Sequence, residues 1–140
     1  MKNDLTEDLL NELMLARSID EALDKEFTNN NLSEYLAFLL EEKKIKKSDV
    51  IKKSSLNTTF AYLIFSGQRQ ASRNKVLQLI FALEATLLEA QRILKLSGAN
   101  ELYCKNRRDA IIIFCLKHNK SLEETDDILY DYNESVIWDD

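Results

Sequence analysis

Proline is absent from the 140 residues, and glycine occurs only at Gly67 and Gly98. A chain so poor in both breakers has few places where a helix cannot continue, and its surplus of Leu, Ile, Glu, Lys and Ala favours helix. The expected class is all-α. No apolar stretch reaches the roughly 18 residues of a bilayer span, so no membrane association is expected. The opening Met1-Lys2-Asn3-Asp4 runs into acidic residues instead of an apolar signal core, which makes cytoplasmic the expected location. The two cysteines, Cys104 and Cys115, have neither CxxC spacing nor companion ligands and read as buried thiols. No metal or cofactor is expected. The only histidine, His118, has no nucleophile beside it, and nothing resembles a P-loop, a dinucleotide loop or a catalytic triad, so catalysis is not expected.

What is present is hydrophobic residue in quantity, 45% of the chain, enough for one well-packed domain but not for two sizeable ones. The net charge of -5 hides a strong segregation. Residues 1–42 hold three basic and eleven acidic side chains, a net of -8. Residues 43–75 hold nine basic side chains (Lys43, Lys44, Lys46, Lys47, Lys52, Lys53, Arg69, Arg73 and Lys75) against Asp49 alone, a net of +8. The remainder, with seven basic and twelve acidic, carries -5. The basic block reads as a solvated face, a set of phosphate contacts or a contact for a protein partner.

Helical spacing begins with Leu5, Leu9, Leu10, Leu13 and Met14, and Ser18 with Glu21 has the form of a capping box for a second short helix reaching Leu23. The run Thr28-Asn29-Asn30-Asn31 reads as a linker, because asparagine side chains compete for backbone hydrogen bonds. Residues 1–31 are therefore an acidic helical appendage. From Leu32 the main domain is expected: a helix capped by Ser33 with Tyr35, Leu36, Leu39 and Leu40 inward; two short helices over residues 45–66; one capped by Ser72 with Val76, Leu77, Ile80 and Leu83 inward; and one capped by Thr86 with Leu88, Ile93 and Leu94, closed at Gly98. Residues 99–140 add a helical extension, one helix over about 106–118 and one opened by Ser121 with Ile128, Leu129 and Tyr132. The segments starting at Thr86 and Ser121 share a hydroxyl cap, a Leu, a Glu and a closing Ile-Leu. That echo is open to two readings, a repeated helix pair or the pattern of any capped amphipathic helix.

Residues 45–67 carry a further pattern: Ile45, Val50 and Ile51 for one helix, Ser55-Leu56-Asn57 for a turn with Leu56 buried and Asn57 as cap, then Ala61 and Ile64 inward. The exit Ile64-Phe65-Ser66-Gly67-Gln68-Arg69-Gln70-Ala71-Ser72 completes it. The pattern resembles the helix-turn-helix of phage-repressor-type (Cro/C1, XRE) transcription regulators over residues 32–94. The resemblance implies a lambda-repressor-like domain of about five helices over residues 32–98, with the appendage before it and the extension packed on it. Ser55 stands where many members carry Gly, and Ala71 where Pro is frequent. By resemblance, Asn57, Thr58, Thr59, Tyr62 and Leu63 face the major groove, Lys47 touches phosphate or a base edge, and Gln68, Arg69 and Arg73 contact flanking phosphates. Double-stranded DNA is the implied partner and a homodimer the implied assembly.

A second function stays open, a protein-interaction module on the same scaffold. It is motivated by the acidic N-terminal segment, the uncharged start of the recognition helix and the acidic end Trp138-Asp139-Asp140. Phe60, Tyr62 and Phe65 read as core residues or as stacking platforms for bases. Arg107-Arg108-Asp109 reads as an ion-paired helix start and His118 as a residue satisfying a helix dipole.

Overall fold

The computed structural model describes residues 31–138, and every regular element among them is helical. In chain order the helices are α1 (Leu32–Lys43), α2 (Lys47–Ser54), α3 (Thr58–Phe65), α4 (Arg73–Ala82), α5 (Leu87–Leu96), α6 (Arg107–Lys117) and α7 (Leu122–Asp131). None of them is long and apolar enough to cross a membrane. The helices expected over residues 5–14 and 18–23, and the linker up to residue 30, lie outside the described residues.

With so little glycine and no proline, the chain makes its breaks by another route. Six helices end in one closure, in which a backbone N–H reaches the carbonyl five residues back: Ile45 to Leu40, Gln68 to Leu63, Ala85 to Ile80, Ala99 to Leu94, Lys120 to Cys115 and Glu134 to Leu129. The residue just before each donor is left-handed, with φ of 55° at Lys44, 81° at Gly67, 53° at Glu84, 81° at Gly98, 56° at Asn119 and 64° at Asn133. This geometry satisfies the last carbonyls of each helix, and glycine and asparagine adopt it readily. Lysine and glutamate do not, so at Lys44 and Glu84 tertiary packing holds the backbone against local preference.

Helix α4 is the axis of the fold. Every residue from Val76 to Leu83 is buried, because α2, α5 and α7 all pack on it. One apolar cluster runs from Tyr35 through Leu77, Ile80, Ile93 and Ile112 to Ile137. Burying side chains of this size contributes about 1.5–3 kcal/mol each.

The echo between Thr86 and Ser121 is a structural repeat with an offset of 35 residues. Both residues open helices with complete capping boxes, Thr86 with Glu89 and Ser121 with Glu124. Five positions after each cap, a side chain grips a returning strand of backbone. Gln91 Oε1 accepts from Leu102 N–H at 2.7 Å, and Asp126 Oδ1 accepts from Ile137 N–H at 2.7 Å. Leu102 and Ile137, themselves 35 apart, are both buried. Arg73 and Arg108 occupy equivalent places: Arg73 donates to the carbonyls of Asn100 and Glu101, and Arg108 to those of Ser135 and Val136.

Between the two hairpins these arginines cross over. Arg73 forms a two-pronged pair with Asp109, 3.0 and 2.9 Å, while Arg108 donates to Asn74 Oδ1 at 2.9 Å. Asn74 and Asp109 are again equivalent positions. Helix α4 likewise packs on α7 and α5 on α6, so the contacts are reciprocal and the hairpins are related by a local pseudo-twofold. Burial, with the like charge of Arg73 second, lowers the Arg108 pKa from its ordinary value; a guanidinium stays charged throughout the physiological range regardless.

The pseudo-symmetry is incomplete along one stripe of the first helix of each hairpin. Val76, Leu79 and Leu83 of α4 are buried, but their equivalents on α6 are half-buried Ile111, exposed Phe114 and exposed His118. The rings of Phe114 and His118 lie against each other, tilted by 37°, with centroids 4.2 Å apart.

Several expectations are corrected. Asn31, not Ser33, caps α1 by accepting from Glu34 N–H, and the Ser33 hydroxyl instead donates to the carbonyl of Phe65 at 2.7 Å. Ser72 stands at the start of α4 but its hydroxyl makes no capping bond. Leu88 and Tyr132 point to solvent rather than inward. Cys104 is exposed, because it lies in the turn between α5 and α6 and not within a helix; only Cys115 is buried, and burial pushes its thiol pKa up.

Two outcomes follow from these contacts. Asp109→Ala leaves Arg73, which keeps 26% of its side chain exposed, without its anion and Tyr103 N–H without its acceptor. Urea unfolding is expected to show a loss of about 2–4 kcal/mol, somewhat below that of a fully buried pair, and Arg73→Lys is expected to destabilise as well, because an ammonium cannot make the fork. In thiol labelling followed by mass spectrometry, Cys104 reacts in the native protein and Cys115 only after unfolding.

Candidate nucleic-acid interface

The segment from α2 to the start of α4 positions most of the residues singled out from the sequence. Helix α2 opens at Lys46 without any side-chain cap and closes at Ser55, which takes a left-handed φ of 62°. Ser55 thus holds the conformation for which glycine is the easy choice. The turn is stabilised from below: Ser54, fully buried, donates its hydroxyl to Ile51 O at 2.7 Å and accepts from Leu56 N–H at 3.2 Å. Leu56 is buried beside it, and the Asn57 side chain caps α3 by accepting from Phe60 N–H at 3.0 Å.

Helix α3 divides cleanly by face. Ala61, Ile64 and Phe65 are buried; Thr58, Thr59 and Tyr62 are exposed, and Leu63 is half-buried. At about 100° of rotation per residue, these four outward residues span one continuous arc, with Phe65 at one edge and Phe60 at the other. A cation sits at each edge. Lys47 Nζ lies 5.9 Å from the centre of the Tyr62 ring and 5.7 Å from that of Phe65, and the Arg69 guanidinium lies 5.3 Å from the Phe60 ring centre. Ring faces attract cations, so both side chains are partly ordered with no carboxylate among the described residues paired to them. Of the aromatic set, Phe65 is core, Phe60 is half-buried and Tyr62 is exposed.

Arg69 reaches its place through the exit of α3. The N–H groups of Gln68 and Arg69 both donate to Leu63 O, at 2.9 and 3.3 Å, and Gly67 turns the chain at a φ of 81°. Gln68 and Arg69 are consequently exposed just beyond the helix.

Arg73 is placed differently. Its guanidinium makes four hydrogen bonds to Asp109, Asn100 and Glu101, which leaves it tied to the second hairpin and away from the α3 arc. The basic block is thinned further by long-range partners: Lys43 pairs with Glu89 at 3.0 Å and Lys53 with Glu84. The Lys53 contact holds the Glu84 carboxyl below its usual pKa. Lys44, Lys46, Lys47, Lys52 and Arg69 have no acidic partner among the described residues and are exposed. Lys44, Lys46 and Lys52 were not singled out individually from the sequence; a lysine's value to an anion depends on which acids lie near it in space, and the sequence shows only the block.

The site can present hydroxyl, amide and phenol groups in a cation-edged arc. Among the described residues it has no cluster able to hold a metal ion. Because Gly67 is left-handed and a Cβ there would lie 3.5 Å from Ser33 Cβ, Gly67→Ala is expected to cost about 1–2 kcal/mol, measured by thermal unfolding, from backbone strain and not from a clash. Comparison of the chain with family models, curated proteins and solved structures gives no match.

Proposed function

We propose that the chain is a sequence-specific DNA-binding transcription regulator of the repressor (Cro/C1, XRE) type, in which α2 and α3 are the helix-turn-helix and α3 enters the major groove. The observation that carries this reading is the pair of cations, Lys47 and Arg69, which have no acidic partner among the described residues and flank the outward arc Thr58, Thr59, Tyr62 and Leu63 on opposite edges. A helix in the major groove meets base edges with its outward face and phosphates on either flank, which is the same division of polar centre and cationic edges. Short threonine side chains permit close approach, and a hydroxyl can serve as donor or acceptor to bases. Asn57 and Gln68 stand at the two ends of α3, while Lys44, Lys46 and Lys52 add charge nearby. Arg73 is left out of the contact set, since its donors are used within the protein.

The proposed assembly is a homodimer on double-stranded DNA, with the two α3 helices about 34 Å apart on a pseudo-palindromic operator. A competing reading, a protein-interaction module on the same scaffold, is favoured by one observation: α3 carries no charged side chain, and its exposed Tyr62 could belong to a protein contact.

Anisotropy titrations on duplex DNA over a range of salt concentrations separate the two. DNA binding predicts a linear fall of log affinity with log salt; Lys47→Ala and Arg69→Ala should each weaken binding on every sequence and reduce the slope by about 1, and Thr59→Ala should change sequence preference at unaltered slope. Light scattering of the same preparation should report a dimer. Absence of binding at low salt to duplexes selected from a random pool would overturn the reading.

A further inference from the structure

Away from α3, a cleft of about 750 Å³ opens between the C-terminal half of α4 and the turn joining α6 to α7, with the end of α2 at its side. Its volume falls in the range of about 300–1,000 Å³ typical of small-molecule sites. Phe81, Ala85, Leu116 and Leu122 supply apolar wall, and half-exposed Trp138 stands at the rim. The lining carries five carboxylates against two lysines, and their roles differ. Glu84 is taken up by Lys53, Asp126 by the N–H groups of Ile137 and Trp138, and Glu124 by the N–H of Ser121. Glu123 and Asp127 have no hydrogen-bond or ion-pair partner among the described residues.

Gln78 lines this cleft and is only 1% exposed. Its Nε2 donates to Ser54 O at 3.0 Å, but its Oε1 is a buried acceptor with no partner, alone in this among the side-chain atoms described. Such an atom destabilises the protein that carries it. The Nε2 bond to the end of α2 accounts for an amide at this point, but it leaves Oε1 unmatched.

From these features we infer that the cleft is a binding site for a small organic cation, an ammonium or guanidinium on an apolar body. Its N–H group donates to Gln78 Oε1, its body packs on Phe81, Leu116 and Leu122, and the excess of carboxylate favours its charge. This site stands apart from the α3 arc, and its test does not depend on DNA binding.

Trp138 is the chain's single tryptophan, so its fluorescence reports on the cleft directly. The full-length protein is titrated with phenethylamine, with 2-phenylethanol as the neutral probe of the same body, and with phenylacetate as the anion. Expected is a saturable emission change with phenethylamine at up to ~10 mM, at least tenfold weaker for the alcohol and absent for the anion. The Gln78→Leu variant should lose it. Because that change also removes the bond to Ser54, a second variant, Glu123→Gln with Asp127→Asn, alters only exposed side chains and should weaken the amine several-fold at low salt while leaving the circular dichroism unaltered. No saturable response to phenethylamine, equal responses to amine and alcohol, or undiminished binding in both variants would each overturn the proposal.

Discussion

Two guanidinium groups organise the described chain. Arg73 and Arg108 each lie at the start of a long helix, each collects two carbonyls from the segment that returns after the next helix, and each reaches across to the other hairpin. Returning segments of this kind have no helix or strand to satisfy their backbone, so the carbonyls would otherwise need water. A planar, five-donor cation can serve two carbonyls and a two-pronged carboxylate in one fixed geometry, and the three donors of a lysine ammonium cannot match that fork. The apolar core from Tyr35 to Ile137 supplies the driving force for collapse, but the arginines determine how one hairpin sits on the other.

That arrangement also determines which charges remain available. The strongly basic stretch of sequence is drawn toward acids that come from the second half of the chain, Glu84, Glu89 and Asp109. The cations left over are not a random sample. Lys47 and Arg69 are held at aromatic rings beside α3, the one described helix that carries no charged residue. The result is a face with uncharged groups in the middle and cations at its margins, in place of the evenly basic surface that the block of sequence implies.

Local features were legible in the sequence and distant ones were not. The caps at Asn57, Thr86 and Ser121, and the breaks at Gly67 and Gly98, depend on residues within a few positions of one another, and pattern reading finds them. The pair between Arg73 and Asp109 spans 36 positions and leaves no local trace, so Arg73 was read as one more member of a basic block. The repeat was visible only as a shared cap and a closing Ile-Leu, because its most telling members differ chemically. Gln91 and Asp126 do the same work with an amide and a carboxylate, and Asn74 and Asp109 stand opposite one another as a neutral and a charged acceptor. The left-handed residues Lys44, Ser55 and Glu84 escaped notice for the opposite reason: their side chains disfavour the conformation that the fold imposes. On the site, the inward and outward residues of α3 followed from helical spacing, whereas the neutralisation of Lys43 and Lys53 required knowing where α4 and α5 lie.

The incomplete symmetry of the hairpins has a colloidal consequence. The stripe of α6 bearing half-buried Ile111 and exposed Phe114 matches a stripe of α4 that is fully buried. An exposed apolar stripe invites stickiness at high concentration. Arg107 at one end of the helix and Lys117 with His118 at the other interrupt it with polar groups, and the tilted contact between Phe114 and His118 covers part of the aromatic ring. Solubility at this face therefore rests on a few side chains at the ends of one helix, and their loss would be felt in precipitation well before it was felt in folding.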